Sequence, residues 1–116
     1  MTESRTGVML VDDHAEMRTH LADLLLNWGC EVTESGSDKL SLSPDHVPDV
    51  IICDRLCLKH VAELLQSTEA EAIKVIVLTD AQTRETSGPA FVAGYLGKPV
   101  KPAQLRALLQ HLFVTA

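Results

Sequence analysis

The stretch VMLVDDH, residues 8–14, decides how the rest of the chain is read. Four apolar residues in a row, valine at both ends, are too few for a buried helix and suit a strand covered on both faces. Two consecutive aspartates, Asp12 and Asp13, follow at its end. Met17, Leu21, Leu24, Leu25 and Trp28 then recur at the spacing of one helix face, and Gly29 stands where a glycine ends a helix. Strand, acidic turn and amphipathic helix together make one βα unit.

Working outward, the pattern repeats. VIIC at 50–53 ends on Asp54 and precedes a helical face of Val61, Leu64 and Leu65, while KVIVL at 74–78 ends on Thr79. A short strand at 94–97 leads to Lys98, and Leu105, Leu108, Leu109 and Leu112 line a last helix that Pro102 can open. Residues 31–34 read as an edge strand, and a weak second helix falls at 37–42 before Pro44 and Pro48. Ser87-Gly88-Pro89 breaks the polar stretch after Thr79, so a fourth helix is expected to be short, displaced or irregular. Alternating strands and helices predict one α/β domain over residues 1–116, with a doubly wound, five-stranded parallel sheet and about five helices.

Composition narrows the function. The chain has 116 residues, ten Lys and Arg against sixteen Asp and Glu, a net charge of −6, and 46% apolar residues with only 3% aromatic. Its core must therefore be aliphatic. No Lys or Arg cluster offers a nucleic-acid surface. No apolar run approaches the roughly 20 residues of a membrane span, and MTESRTG lacks the order of a signal peptide, so a cytoplasmic location is expected. Cys30, Cys53 and Cys57 are odd in number and lack CxxC spacing, which leaves reduced thiols rather than disulfides or zinc ligands.

In an open parallel sheet the ligand site lies outside the carboxyl ends of the strands. Asp12 and Asp13, Asp54, Thr79 and Lys98 stand just after or at those ends. One Asp at a strand end is more commonly a cap or turn former. Several carboxylates in order, joined by a hydroxyl and an ammonium, are different: they repel unless a cation sits among them, and an oxygen-rich cluster with open positions suits Mg²⁺ and phosphate oxygens. Gly97-Lys98 is not a phosphate loop, since Val92 stands where its first glycine belongs and no Ser or Thr follows Lys98.

Val11-Asp12-Asp13-His14, Ile51-Ile52-Cys53-Asp54, Val77-Leu78-Thr79 and Gly94-Tyr95-Leu96-Gly97-Lys98-Pro99 resemble the motifs of the receiver domain of two-component response regulators, over roughly residues 7–113. The resemblance implies a flavodoxin-like sheet of order 2-1-3-4-5. It makes Asp54 the phosphoacceptor, attacking the phosphohistidine of a histidine kinase or phosphotransfer protein. Asp13 would bind Mg²⁺ directly, Asp12 largely through water, and Leu56 by its backbone carbonyl, with Asp54 completing the set. Thr79 and Lys98 would engage the phosphoryl oxygens, and Pro99 would follow a cis peptide. The switching surface would be the fourth helix, fifth strand and last helix, with Tyr95 turning between exposed and buried positions. A downstream protein or output domain, and a homodimer on phosphorylation, belong to the same resemblance.

Departures from the family are local. Arg55-Leu56-Cys57-Leu58-Lys59-His60 lacks the usual Met-Pro and Gly, the segment between Thr79 and Lys98 is about three residues short, and Asp80 replaces a small residue. Cys57 is expected to be exposed, His14 to start a helix, and His20, His46, His60 and His111 to lie at the surface. Two other readings compete: a receiver-like module signalling by contacts alone, and a flavin binder on the same topology. The second lacks Ser, Thr and Gly-rich loops near the first strand's end.

Overall fold

The computed structural model describes residues 6–36, 47–66, 73–80, 92–98 and 100–113. Strands β1 (Gly7–Val11), β2 (Glu31–Ser35), β3 (Val50–Asp54), β4 (Lys74–Asp80) and β5 (Val92–Lys98) form one parallel sheet in the order β2-β1-β3-β4-β5. Three described helices accompany them: α1 (Ala15–Asn27), α2 (Leu58–Gln66), entered through a 3-10 turn at Arg55–Cys57, and α3 (Pro102–Phe113). The doubly wound sheet and its order are as expected. The last strand is longer than the expected 94–97, β2 reaches Ser35, and β4 runs one residue past Thr79. Pairing explains the length of β5, because register with β4 extends from Val75↔Val92 to Asp80↔Lys98. The expected second and fourth helices, and Pro99, lie outside the described residues.

Period-two alternation divides the central strands between two cores. Val8, Leu10, Val50, Ile52, Ile76 and Leu78 face Leu21 and Leu25 of α1 and Leu105 and Leu109 of α3. Met9, Val11, Ile51, Cys53, Val75 and Val77 turn the other way, onto Cys57 and Val61. Every residue of β3 is buried, which is why its sequence is apolar without alternation. Each such aliphatic side chain withdrawn from water contributes about 1.5–3 kcal/mol.

Two helix ends fix how the chain enters and leaves the sheet. Gly29 takes φ +85 after α1, letting the Cys30 and Gly29 N–H groups donate to the carbonyls of Leu25 and Leu26. Pro102 opens α3, where the Gln104 and Leu105 N–H groups donate to the Lys101 carbonyl. Trp28 and Arg106 stack across α1 and α3, 5.8 Å from guanidinium carbon to ring centre.

Candidate functional site at the carboxyl edge of the sheet

Because all five strands run parallel, their carboxyl ends share one edge. β1 delivers Asp12 and Asp13, β3 delivers Asp54, β4 delivers Thr79 and β5 delivers Lys98. Among the described residues, Asp12, Asp54 and Thr79 are the buried polar ones there. A buried carboxylate is costly unless it is bonded or paired, so the partners of each oxygen matter.

The Asp54 carboxylate is held on both sides. One oxygen, Oδ2, accepts from the Leu56 N–H at 3.1 Å, and Oδ1 accepts from the Lys98 ammonium. Asp12 places Oδ1 2.8 Å from the His14 N–H and 3.1 Å from His14 Nδ1. Its other oxygen, Oδ2, lies 3.8 Å from Lys98 Nζ and, although buried, has no hydrogen-bond partner among the described residues. The Lys98 ammonium thus stands between two carboxylates. Thr79 pairs with Gly97 across β4 and β5, one residue before Lys98, and Asp80 pairs with Lys98 itself.

The remaining expected residues divide. Asp13 is exposed and its Oδ2 lies 4.0 Å from Cys57 Sγ. Leu56 bends into the 3-10 turn as an exposed residue (82%), with its backbone N–H against Asp54. Tyr95 packs on the core that contains Val61, and its hydroxyl is buried without a hydrogen-bond partner among the described residues. Cys57 corrects an expectation: it is buried, because the 3-10 turn after β3 folds it under α2. Burial pushes its thiol up to about 11, with the nearby Asp13, Asp54 and Asp12 charges adding to the rise and a hydrogen bond with Asp13 opposing it. Burial likewise pushes the Cys53 thiol up to about 12. Both are therefore protonated near neutrality. His14 does occupy the residue before α1, yet its ring engages Asp12 rather than capping the helix.

Arg18 was invisible as a site residue in the sequence. From the second turn of α1 its Nη1 donates to the Asp12 backbone carbonyl at 2.6 Å and its Nε to Glu34 Oε1 at 3.3 Å. Six residues separate Arg18 from Asp12, a spacing that becomes a contact only once α1 has turned back over the sheet edge.

The donor set suits a hard divalent cation. Among the described residues Asp12 Oδ2 is a buried carboxylate oxygen without a hydrogen bond, and the carboxylates of Asp13 and Asp54 stand at the same sheet edge as further oxygen donors. Among the described residues no three His, Cys, Asp or Glu side chains close into a cage alone. An ion bound through one or two carboxylates, with waters and phosphate oxygens, needs no such cage.

Comparison with known proteins decides the family. The model of the response regulator receiver domain matches residues 8–112. The chain belongs to this family. Receiver domains are signalling modules of two-component systems rather than metabolic enzymes; they bind Mg²⁺ at the acidic pocket and interact with histidine kinases and output domains. The transcriptional regulatory protein ZraR of Salmonella typhimurium is 30% identical over 97% of this receiver. The chain spans about a quarter, 26%, of ZraR's length. Chemotaxis protein CheY4 of Vibrio cholerae superposes with a TM-score of 0.81 at 24% identity, over 95% of this chain and all of that one (100%). TrrA of Thermotoga maritima, solved with Mg²⁺ and BeF, superposes at 0.76 with 20% identity, over 93% and 99% of the two chains. Among the described residues no helix is long and apolar enough to cross a membrane.

Proposed function

We propose that this receiver takes a phosphoryl group onto Asp54 from the phosphohistidine of a histidine kinase or phosphotransfer protein. The observation that carries this reading is the Asp54 carboxylate itself: buried, oriented by the Leu56 N–H, and sharing the Lys98 ammonium with Asp12. In the transfer a carboxylate oxygen forms the new bond to phosphorus, and the P–N bond breaks with its electron pair returning to the imidazole. Little covalent work falls on the protein, so positioning and charge neutralisation carry the rate.

Asp12, Asp13, Asp54 and the Leu56 carbonyl would hold Mg²⁺, which supplies positive charge to the phosphoryl oxygens. The residues of the chain do the rest. Lys98 neutralises Asp54 beforehand; when a phosphoryl group with about two negative charges arrives, the ammonium has a stronger partner and follows it. Thr79, adjacent on β4, offers its hydroxyl to the same oxygens. The Tyr95 hydroxyl, without a hydrogen-bond partner among the described residues and so costing about 1–3 kcal/mol where it lies, would make β5 responsive to such a shift. The switching surface then comprises β5, α3 and the chain between β4 and β5.

In this reading residues 1–116 form one cytoplasmic receiver domain, able to pair with a second copy once phosphorylated and to address a downstream protein or output domain. The test is ¹⁹F NMR with beryllofluoride, a tetrahedral phosphoryl mimic. A bound signal that needs Mg²⁺, disappears in Asp54→Asn and shifts the Tyr95 resonances is expected. Absence of any bound signal in the unsubstituted protein would favour a module that signals by contacts alone.

A further inference from the structure

We infer that Arg18 is a positioning residue for the acidic edge, clamping the Asp12–Asp13 peptide so that both carboxylates meet the cation. This rests on the proposed Mg²⁺ site. Asp12 is tied to β2 from both ends of its backbone. Its N–H donates to the Ser35 carbonyl at 3.2 Å, and its carbonyl accepts from Arg18 Nη1, whose guanidinium reaches Glu34 Oε1 through Nε. A peptide is planar, so holding the Asp12 carbonyl fixes the N–H of Asp13 and the direction in which Asp13 leaves the strand. Beyond Val11 no strand pairing sets that direction. The fork of Arg18 does, because one planar group spans a carbonyl and a carboxylate on two different segments. With its side chain 22% exposed, the guanidinium is shielded enough to keep one orientation.

Clamp and charge act in opposite directions here. A cationic side chain near the acidic edge repels a metal ion, so if Arg18 mattered only by its charge, removing it would tighten Mg²⁺ binding. As a clamp, removing it weakens binding, since partners that orient metal ligands typically matter about tenfold or more.

The test uses calorimetric Mg²⁺ titration and amide hydrogen exchange on the unsubstituted protein, Arg18→Ala and Arg18→Lys. Arg18→Ala should bind Mg²⁺ about tenfold more weakly, and its Asp13 and His14 amides should exchange about tenfold faster without metal. Arg18→Lys keeps the charge but not the fork, and should also bind more weakly than the unsubstituted protein. At saturating Mg²⁺ the phosphorylation rates should agree within about twofold, separating ligand placement from general damage. Unchanged or tighter binding in Arg18→Ala, full affinity in Arg18→Lys, or a reduced rate at saturation would each overturn the clamp. An unsubstituted protein that takes no Mg²⁺ would overturn the functional reading as well, whereas normal binding in all three would overturn the clamp alone.

Discussion

Replacing Lys98 by Met removes the ammonium while keeping most of the apolar stem, and the structure sets what that should do. Nζ lies 3.8 Å from Asp12 Oδ2, which at an effective dielectric near 20 corresponds to about 4 kcal/mol of gross attraction, and it also holds Asp54 Oδ1. The two carboxylates are only 4% and 9% exposed, and Lys98 is 18% exposed. Removing one member of a buried pair costs about 3–5 kcal/mol, and the partial exposure of Lys98 points to the lower end. A loss of about 3 kcal/mol, or roughly 12 °C in Tm for a domain this size, is therefore expected in chelator. Mg²⁺ should reverse much of it. With no competing ammonium, a tenfold gain in Mg²⁺ affinity adds about 1.4 kcal/mol, so the metal should raise Tm by roughly 5 °C more in the variant. Differential scanning fluorimetry with chelator and with excess Mg²⁺ reads both quantities. A variant as stable as the parent in chelator, or one that gains no more from Mg²⁺, would refute this electrostatic picture.

Other substitutions probe separate parts of the edge and the fold. Asp13→Ala should weaken Mg²⁺ binding at least about tenfold by calorimetry, and an unchanged affinity would remove Asp13 from the metal site. The Cys57 and Cys53 thiols, held at about 11 and about 12 against an ordinary value of 9, keep protons in the folded state that the unfolded chain loses above pH 9. Their contribution to stability is full below pH 9 and falls as pH rises toward 11, so urea midpoints should drop less steeply over that window in Cys57→Ala than in the parent. A Cβ at Gly94 would meet Leu108 Cδ2 at 3.0 Å and Cδ1 at 3.2 Å, so Gly94→Ala should cost about 1 kcal/mol by pushing α3 from β5. Adding Leu108→Ala should then cost less than it does alone, as a thermodynamic cycle would show.

The parts of the molecule legible in the sequence are those governed by local pattern. VMLV and VIIC are apolar without alternation because both faces of β1 and β3 are covered, and that alone separates a parallel sheet from a two-sided hairpin. Gly29 marks its helix end because few other residues take φ +85, and Pro102 marks a helix start because its missing N–H costs nothing in the first turn. Asp12, Asp54 and Lys98 meet because parallel strands bring their carboxyl ends together, so position at a strand end was sufficient to gather them. Contacts between segments remote in sequence were not legible. Arg18 finds Asp12 and Glu34 only after α1 packs over β2, and although it is the one Arg or Lys of α1, its place in the sequence does not show which groups it reaches. The burial of Cys57 is illegible for a different, local reason: the 3-10 turn at Arg55–Cys57 leaves Leu56 exposed and Cys57 buried, the reverse of what hydropathy suggests for the pair.

The central claim is that Asp54 carries the phosphoryl group, and intact-protein mass spectrometry tests it most directly. Incubation with acetyl phosphate and Mg²⁺ should add the mass of one phosphoryl group, with no addition in chelator or in Asp54→Asn. Incorporation that persists in Asp54→Asn, or no incorporation by a folded parent protein that binds Mg²⁺, would contradict it.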